Sequence, residues 1–146
     1  MNICEALAKY VLQEIPAEEL PSVGMEALEA GLDSPSLRQL AGAARDNFNE
    51  NGRLFMAVVK ELGISVPSEA EAGMVKARWL AGLALDGTLP PYDAARQIYY
   101  GVYSRFRQLK ELRLIAGLAD AYEENENERE HYTRELLLEF KRITGR

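Results

Sequence analysis

Among its 146 residues the chain has one cysteine and one histidine. With Cys4 alone, no intramolecular disulfide can form. Glu5 beside it would raise the thiol pKa rather than activate it, so Cys4 is expected to be a small, half-buried apolar residue on the first helix. His131 follows Glu128 by three residues, the spacing at which one helical turn offers a carboxylate and an imidazole to a metal. Di-iron bundles use that pair twice and zinc sites use several His or Cys ligands, so a single histidine argues against both. Glu128 also lies in the run Glu123, Glu124, Glu126, Glu128, Glu130, where a carboxylate near His131 follows from composition.

Other absences narrow the field further. No run of about 18 apolar residues exists to span a bilayer. No basic stretch followed by an apolar run marks a secretory signal, so the expected compartment is the cytoplasm. None of the eleven glycines builds a GxGxxG or Walker phosphate cradle, and no serine sits in a Gly-x-Ser-x-Gly elbow. No cofactor and no catalytic residue is expected. Bases are outnumbered, 17 Lys and Arg against 23 Asp and Glu, a balance of −6. Nucleic-acid binding rests on clustered cations and is disfavoured by that balance, whereas a basic protein partner suits it.

What the chain does have is helical periodicity from end to end. A first helix is predicted from about Asn2 to Glu14, ended by Pro16. A second runs from Pro21 and Ser22 to Ala30, stopped by Gly31. Asp33-Ser34-Pro35 supplies a capping oxygen and a first-turn proline for a helix ending near Gly42. Arg45 to Gly52 reads as a polar stretch, followed by an apolar face of Leu54, Phe55, Val58, Val59 and Leu62 closed by Gly63. Ser68 and Glu71 form a capping box for a helix expected to turn Val75, Trp79, Gly82 and Leu83 inward and to stop at Gly87. Pro90-Pro91 opens an aromatic helix with Ala95, Ile98, Tyr99, Val102, Tyr103 and Phe106 on one face. After a break near Leu109 come Leu112, Ile115, Ala119 and Tyr122, and the last helix carries Tyr132, Leu136, Phe140 and Ile143. The prediction is an all-α fold, a compact irregular helical bundle of about seven or eight helices in one domain, 1–146, without internal repeats.

Charge is unevenly spread. Residues 1–33 hold seven acids against Lys9, with Glu14, Glu18 and Glu19 the candidate contacts for a basic partner. Between Arg96 and Arg113 five bases face one acid, Glu111, interleaved with tyrosines. Arg96, Tyr100, Arg105, Arg107 and Arg113 are the candidate contacts there, by stacking and phosphate binding if the ligand is nucleic acid. The bland reading places Tyr99, Val102, Tyr103 and Phe106 in the core. It pairs the arginines with the six acids of Asp120–Glu130, each exposed pair worth well under about 1 kcal/mol.

Two segments, Gly31-Leu32-Asp33-Ser34-Pro35-Ser36-Leu37-Arg38-Gln39-Leu40-Ala41-Gly42 and Gly87-Thr88-Leu89-Pro90 with Asp93-Ala94-Ala95-Arg96-Gln97-Ile98, resemble stretches of small uncharacterised bacterial helical proteins. The resemblance implies a bacterial origin and an all-helical fold, and brings no activity with it. The leading expectation is a non-enzymatic protein that binds another protein, with an immunity-like or regulatory role toward a basic partner as one form. An alternative is an enzyme or small-ligand binder whose inter-helical pocket is lined by Trp79, Tyr99 or Tyr103 and a buried charge such as Arg96. A third is weak nucleic-acid binding through the basic aromatic helix. Self-association is compatible with the apolar content and specified by nothing in it.

Overall fold

The computed structural model describes residues 1–146 as eight α-helices with no strand, which bears out the all-α prediction. No helix is long and apolar enough to cross a membrane. The chain divides into two units, Met1–Ala72 and Gly73–Arg146.

In the first unit, α1 (Ile3–Val11) starts where Asn2 Oδ1 accepts the Glu5 N–H at 2.8 Å, satisfying one orphan donor of the first turn. The helix stops earlier than periodicity suggested. Gln13 adopts φ 59°, and the Glu14 N–H turns back to Lys9 O at 2.8 Å. This is a left-handed helix stop occupied by a residue other than glycine, so no sequence signal announces it. Replacing Gln13→Gly is expected to stabilise the protein by about 1 kcal/mol, because only the Cβ opposes that backbone conformation. Urea unfolding measures it, and an unchanged or lower midpoint contradicts the assignment. Cys4 is exposed rather than half-buried, since the core-facing positions of α1 are Ile3, Ala6, Leu7 and Ala8.

A 3-10 turn, Ala17–Glu19, leads into α2 (Leu20–Glu29), which ends before Gly31 at φ 96°. Ser34 caps α3 (Pro35–Ala41) as its sequence predicts, accepting the Leu37 N–H at 3.2 Å. The far end of α4 (Phe48–Glu61) returns to that capped turn: the Ser36 N–H donates to Glu61 Oε1 at 3.0 Å, and the Ser36 hydroxyl donates to the other oxygen. These bonds hold the Glu61 carboxyl below the usual carboxylate range. Leu7, Leu20, Leu37, Leu40, Phe55 and Val58 are fully buried, with the Tyr10 ring 5.3 Å from that of Phe55. The polar stretch Arg45–Gly52 is only partly a loop. α4 begins inside it at Phe48, and Asn51 is completely buried.

Helix α5 (Glu69–Leu85) carries the capping box the sequence announces. The Glu71 N–H donates to Ser68 Oγ at 3.1 Å, and the Ser68 N–H to Glu71 Oε1 at 3.2 Å. Its buried stripe is Ala72, Met74, Ala77, Leu80, Ala81 and Ala84. Val75, Trp79, Gly82 and Leu83, expected inward, are only half-buried. Alanine contributes little to a hydrophobic pattern yet permits close helix packing, so the bulkier residues drew the predicted face to the wrong side.

In the second unit α6 (Pro91–Ile98) does not continue as an α-helix through Phe106. It widens into a π-helical turn, Tyr99–Tyr103, closed by Ser104 N–H to Tyr99 O at 2.8 Å. A 3-10 turn at Lys110–Leu112 opens α7 (Arg113–Glu124), and α8 (Arg129–Thr144) follows Glu126–Glu128. Ile98, Leu112, Ile115, Leu136 and Phe140 are fully buried. Tyr92 of α6 and Tyr122 of α7 stack at 4.3 Å, while the Tyr92 hydroxyl donates to the Glu123 carboxylate.

Candidate functional site

The candidate residues fall into two groups, one in each unit. In the first unit, Glu18 and Glu19 are placed by the 3-10 turn after Pro16, and Arg45, Asp46 and Phe48 by the loop and first turn leading into α4. These five side chains line one groove of about 330 Å³. Phe48 is 54% exposed, unusual for a phenyl ring, and the Arg45 guanidinium donates to Ser22 Oγ at 3.0 Å. Three carboxylates and a bare aromatic ring therefore face the same opening. Glu14 is exposed but does not line it. Another groove of the first unit, of about 490 Å³, is lined by Tyr10, Val11, Gln13, Ile15, Met56 and Val66 and has no charged lining.

Asn51 lies beneath this face and was missed in the sequence. Its Nδ2 donates to Ala44 O at 2.9 Å, with longer contacts to Arg45 O at 3.4 Å and Ala17 O at 3.5 Å. Ala17 precedes Glu18 and Glu19, and Ala44 precedes Arg45 and Asp46, so one buried amide braces both walls of the groove. Its Oδ1 is buried without a hydrogen-bond partner. Leaving an acceptor so costs on the order of 1–3 kcal/mol, which the two N–H donors at the other end of the amide must offset.

Charge follows the same division. Residues 1–72 hold twelve acids and five bases, a balance of −7, whereas residues 73–146 hold eleven acids and twelve bases, a balance of +1. The whole negative excess of the chain thus belongs to the unit that carries the Phe48 groove.

In the second unit the predicted basic residues lie against aromatic rings. The Arg107 guanidinium lies 4.9 Å from the Tyr103 ring centroid, Arg105 4.9 Å from Phe106, and Arg96 6.0 Å from Tyr100. Hydrogen bonding from Arg113, with a smaller part from Arg107, holds the Tyr103 phenol below the usual tyrosine range although burial opposes it. The reach toward the acidic segment is made by Tyr92, next to Asp93 on α6, through Glu123. That hydrogen bond, with burial and the carboxylate charge adding to it, pushes the Tyr92 phenol up to about 12.

A raised pKa means the contact stabilises fully below the unfolded value of about 10, and its contribution is lost as pH climbs from there toward about 12. Ultraviolet titration of the tyrosines should show one phenol ionising last, and Tyr92→Phe should remove that step. Removal of a phenol that titrates with the bulk would contradict it.

Arg96, expected as a buried charge beside Trp79, Tyr99 or Tyr103, is exposed, and Tyr103 belongs to the core at 7% exposure. Arg96 instead shares an open groove of about 490 Å³ with Lys76, Gln97, Tyr100 and Gly101. No three or more His, Cys, Asp or Glu side chains converge as they would to hold a metal ion, and His131 is exposed against Tyr132. No family model matches the chain, and no curated protein or solved structure matches it either.

Proposed function

We propose that this protein acts by binding another protein, and that the first unit receives a basic partner at the groove around Phe48. The observation that carries the reading is an exposed phenyl ring flanked by Glu18, Glu19 and Asp46 on the unit that holds all of the chain's negative excess. Aromatic anchors supply much of the affinity in protein interfaces, while charge around them speeds encounter and selects the partner. Glu14 would add to the long-range field rather than to the contact itself.

The test is capture of the partner from native cell lysate at moderate salt. Reversal of Glu18→Lys and Glu19→Lys together should release a stoichiometric partner, and raising the salt should weaken its retention. Reversal of Glu123→Lys and Glu124→Lys should leave it bound. Retention by the Glu18/Glu19 double variant would overturn the assignment.

A further inference from the structure

We propose that the groove on the second unit binds a small anion carrying a flat ring, of the nucleoside monophosphate class. The site is separate from the Phe48 groove and does not depend on it. Its lining is short and chemically pointed: Lys76 from α5, Arg96 and Gln97 from α6, and Tyr100 with Gly101 from the π-helical turn. Two basic side chains, an amide and an aromatic ring meet there, and of these Arg96 and Tyr100 are exposed.

Each part has a role that this ligand class would use. Tyr100 is stacked on Tyr99 with ring centroids 4.5 Å apart and planes 6° from parallel, yet it remains 56% exposed. Tyr99 thus holds the Tyr100 ring as a fixed platform on which a base can stack, a contact that every base can make. The Arg96 guanidinium, 6.0 Å from the Tyr100 centroid, stands at the outer limit of cation–π attraction. It can turn its planar fork to a phosphate without giving up a close contact. Gln97 offers both a donor and an acceptor to a ring edge.

Gly101 keeps the groove open. A Cβ there would come within 3.2 Å of Lys76 Nζ, so the ammonium lies over bare backbone at the edge of the groove. Arg96 and Tyr100 are four residues apart and so share one helix face, and the π-helical turn begins just there, at Tyr99, a kind of turn that occurs often at functional sites.

A nucleotide fits better than a strand. Tracking a nucleic-acid backbone takes a row of cations, but Arg105 and Arg107 lie against Phe106 and Tyr103. The unit as a whole is only +1.

Calorimetric titration of the full-length protein at low salt tests this with adenosine 5′-monophosphate, adenosine and inorganic phosphate. The monophosphate should saturate one site and bind about tenfold or more tightly than either fragment. Arg96→Gln should weaken it about tenfold, and Tyr100→Ala similarly, while Tyr100→Phe keeps the platform and the affinity. Arg96 and Tyr100 are exposed, so circular dichroism of these variants should match the parent. Absence of saturable monophosphate binding, or parental affinity in both Arg96→Gln and Tyr100→Ala, overturns the proposal. Far tighter, steeply salt-dependent binding of a tetrathymidylate overturns it in favour of a strand.

Discussion

Asn51→Asp should destabilise the protein by roughly 3–5 kcal/mol at neutral pH, more than any exposed substitution in the chain. The change is isosteric, so it leaves no cavity. It replaces the Nδ2 donor with an oxygen facing the carbonyls of Ala44, Arg45 and Ala17, in a side chain with no exposure to water. An ionised carboxylate there is an uncompensated buried charge among acceptors. Only its protonated form can donate, so folding raises the pKa of the introduced acid. Its destabilisation should therefore shrink as pH falls toward the ordinary aspartate value near 4 and grow as pH rises. Urea unfolding at several pH values reads this directly. A loss below about 1 kcal/mol, or one independent of pH, would mean that Asn51 is not the brace described here.

The second large effect is a contrast between two glycines in the interior of helices. A Cβ on Gly73 of α5 would lie 2.8 Å from Phe106 Cδ2, 3.0 Å from Cε2 and 3.2 Å from Val102 Cγ1. Gly73 is buried, and Phe106 and Val102 are both in the core, so the ring has little room to move. Overpacking costs about 1–3 kcal/mol and exceeds the roughly 1 kcal/mol that alanine gains over glycine in a helix. Gly73→Ala is thus expected to be destabilising, and Gly73→Leu severely so. At Gly117 of α7 a Cβ meets nothing within 4 Å, and there the helix preference stands alone. Gly117→Ala should stabilise by about 0.5–1 kcal/mol. Equal signs for the two alanine variants in chemical unfolding would contradict the packing described for Gly73.

Helix starts and stops were readable wherever a side chain or glycine makes a local hydrogen-bonding or conformational demand. Ser34, the Ser68–Glu71 pair, Gly31, Gly63 and Gly87 all sit where local chemistry put them. Gln13 was not readable, because it holds a left-handed conformation that its residue type does not advertise.

Long-range features were hidden for other reasons. Asn51 looks like one more polar residue between Arg45 and Gly52, and only the fold reveals that three carbonyls surround its amide. The π-helical turn escaped because Ile98, Val102, Tyr103 and Phe106 suit an α-helical face equally well. Gly73 is silent in sequence, since its importance lies in Phe106, 33 residues away. Of the residues that line the two grooves, Glu18, Glu19, Arg96 and Tyr100 stand out in the sequence by charge or by their place off the apolar face. Phe48 and Lys76, which complete the two grooves, needed the fold.

The most direct measurement of the proposed interface is site-specific photocrosslinking in native cells, with a photoreactive phenylalanine analogue placed at Phe48 and, separately, at the equally exposed Leu138 of α8. The expected result is one discrete crosslinked product from position 48, carrying a basic protein, that is absent from position 138 and disappears when Glu18→Lys and Glu19→Lys are added. A product from position 138 with none from position 48 would contradict the assignment of this face.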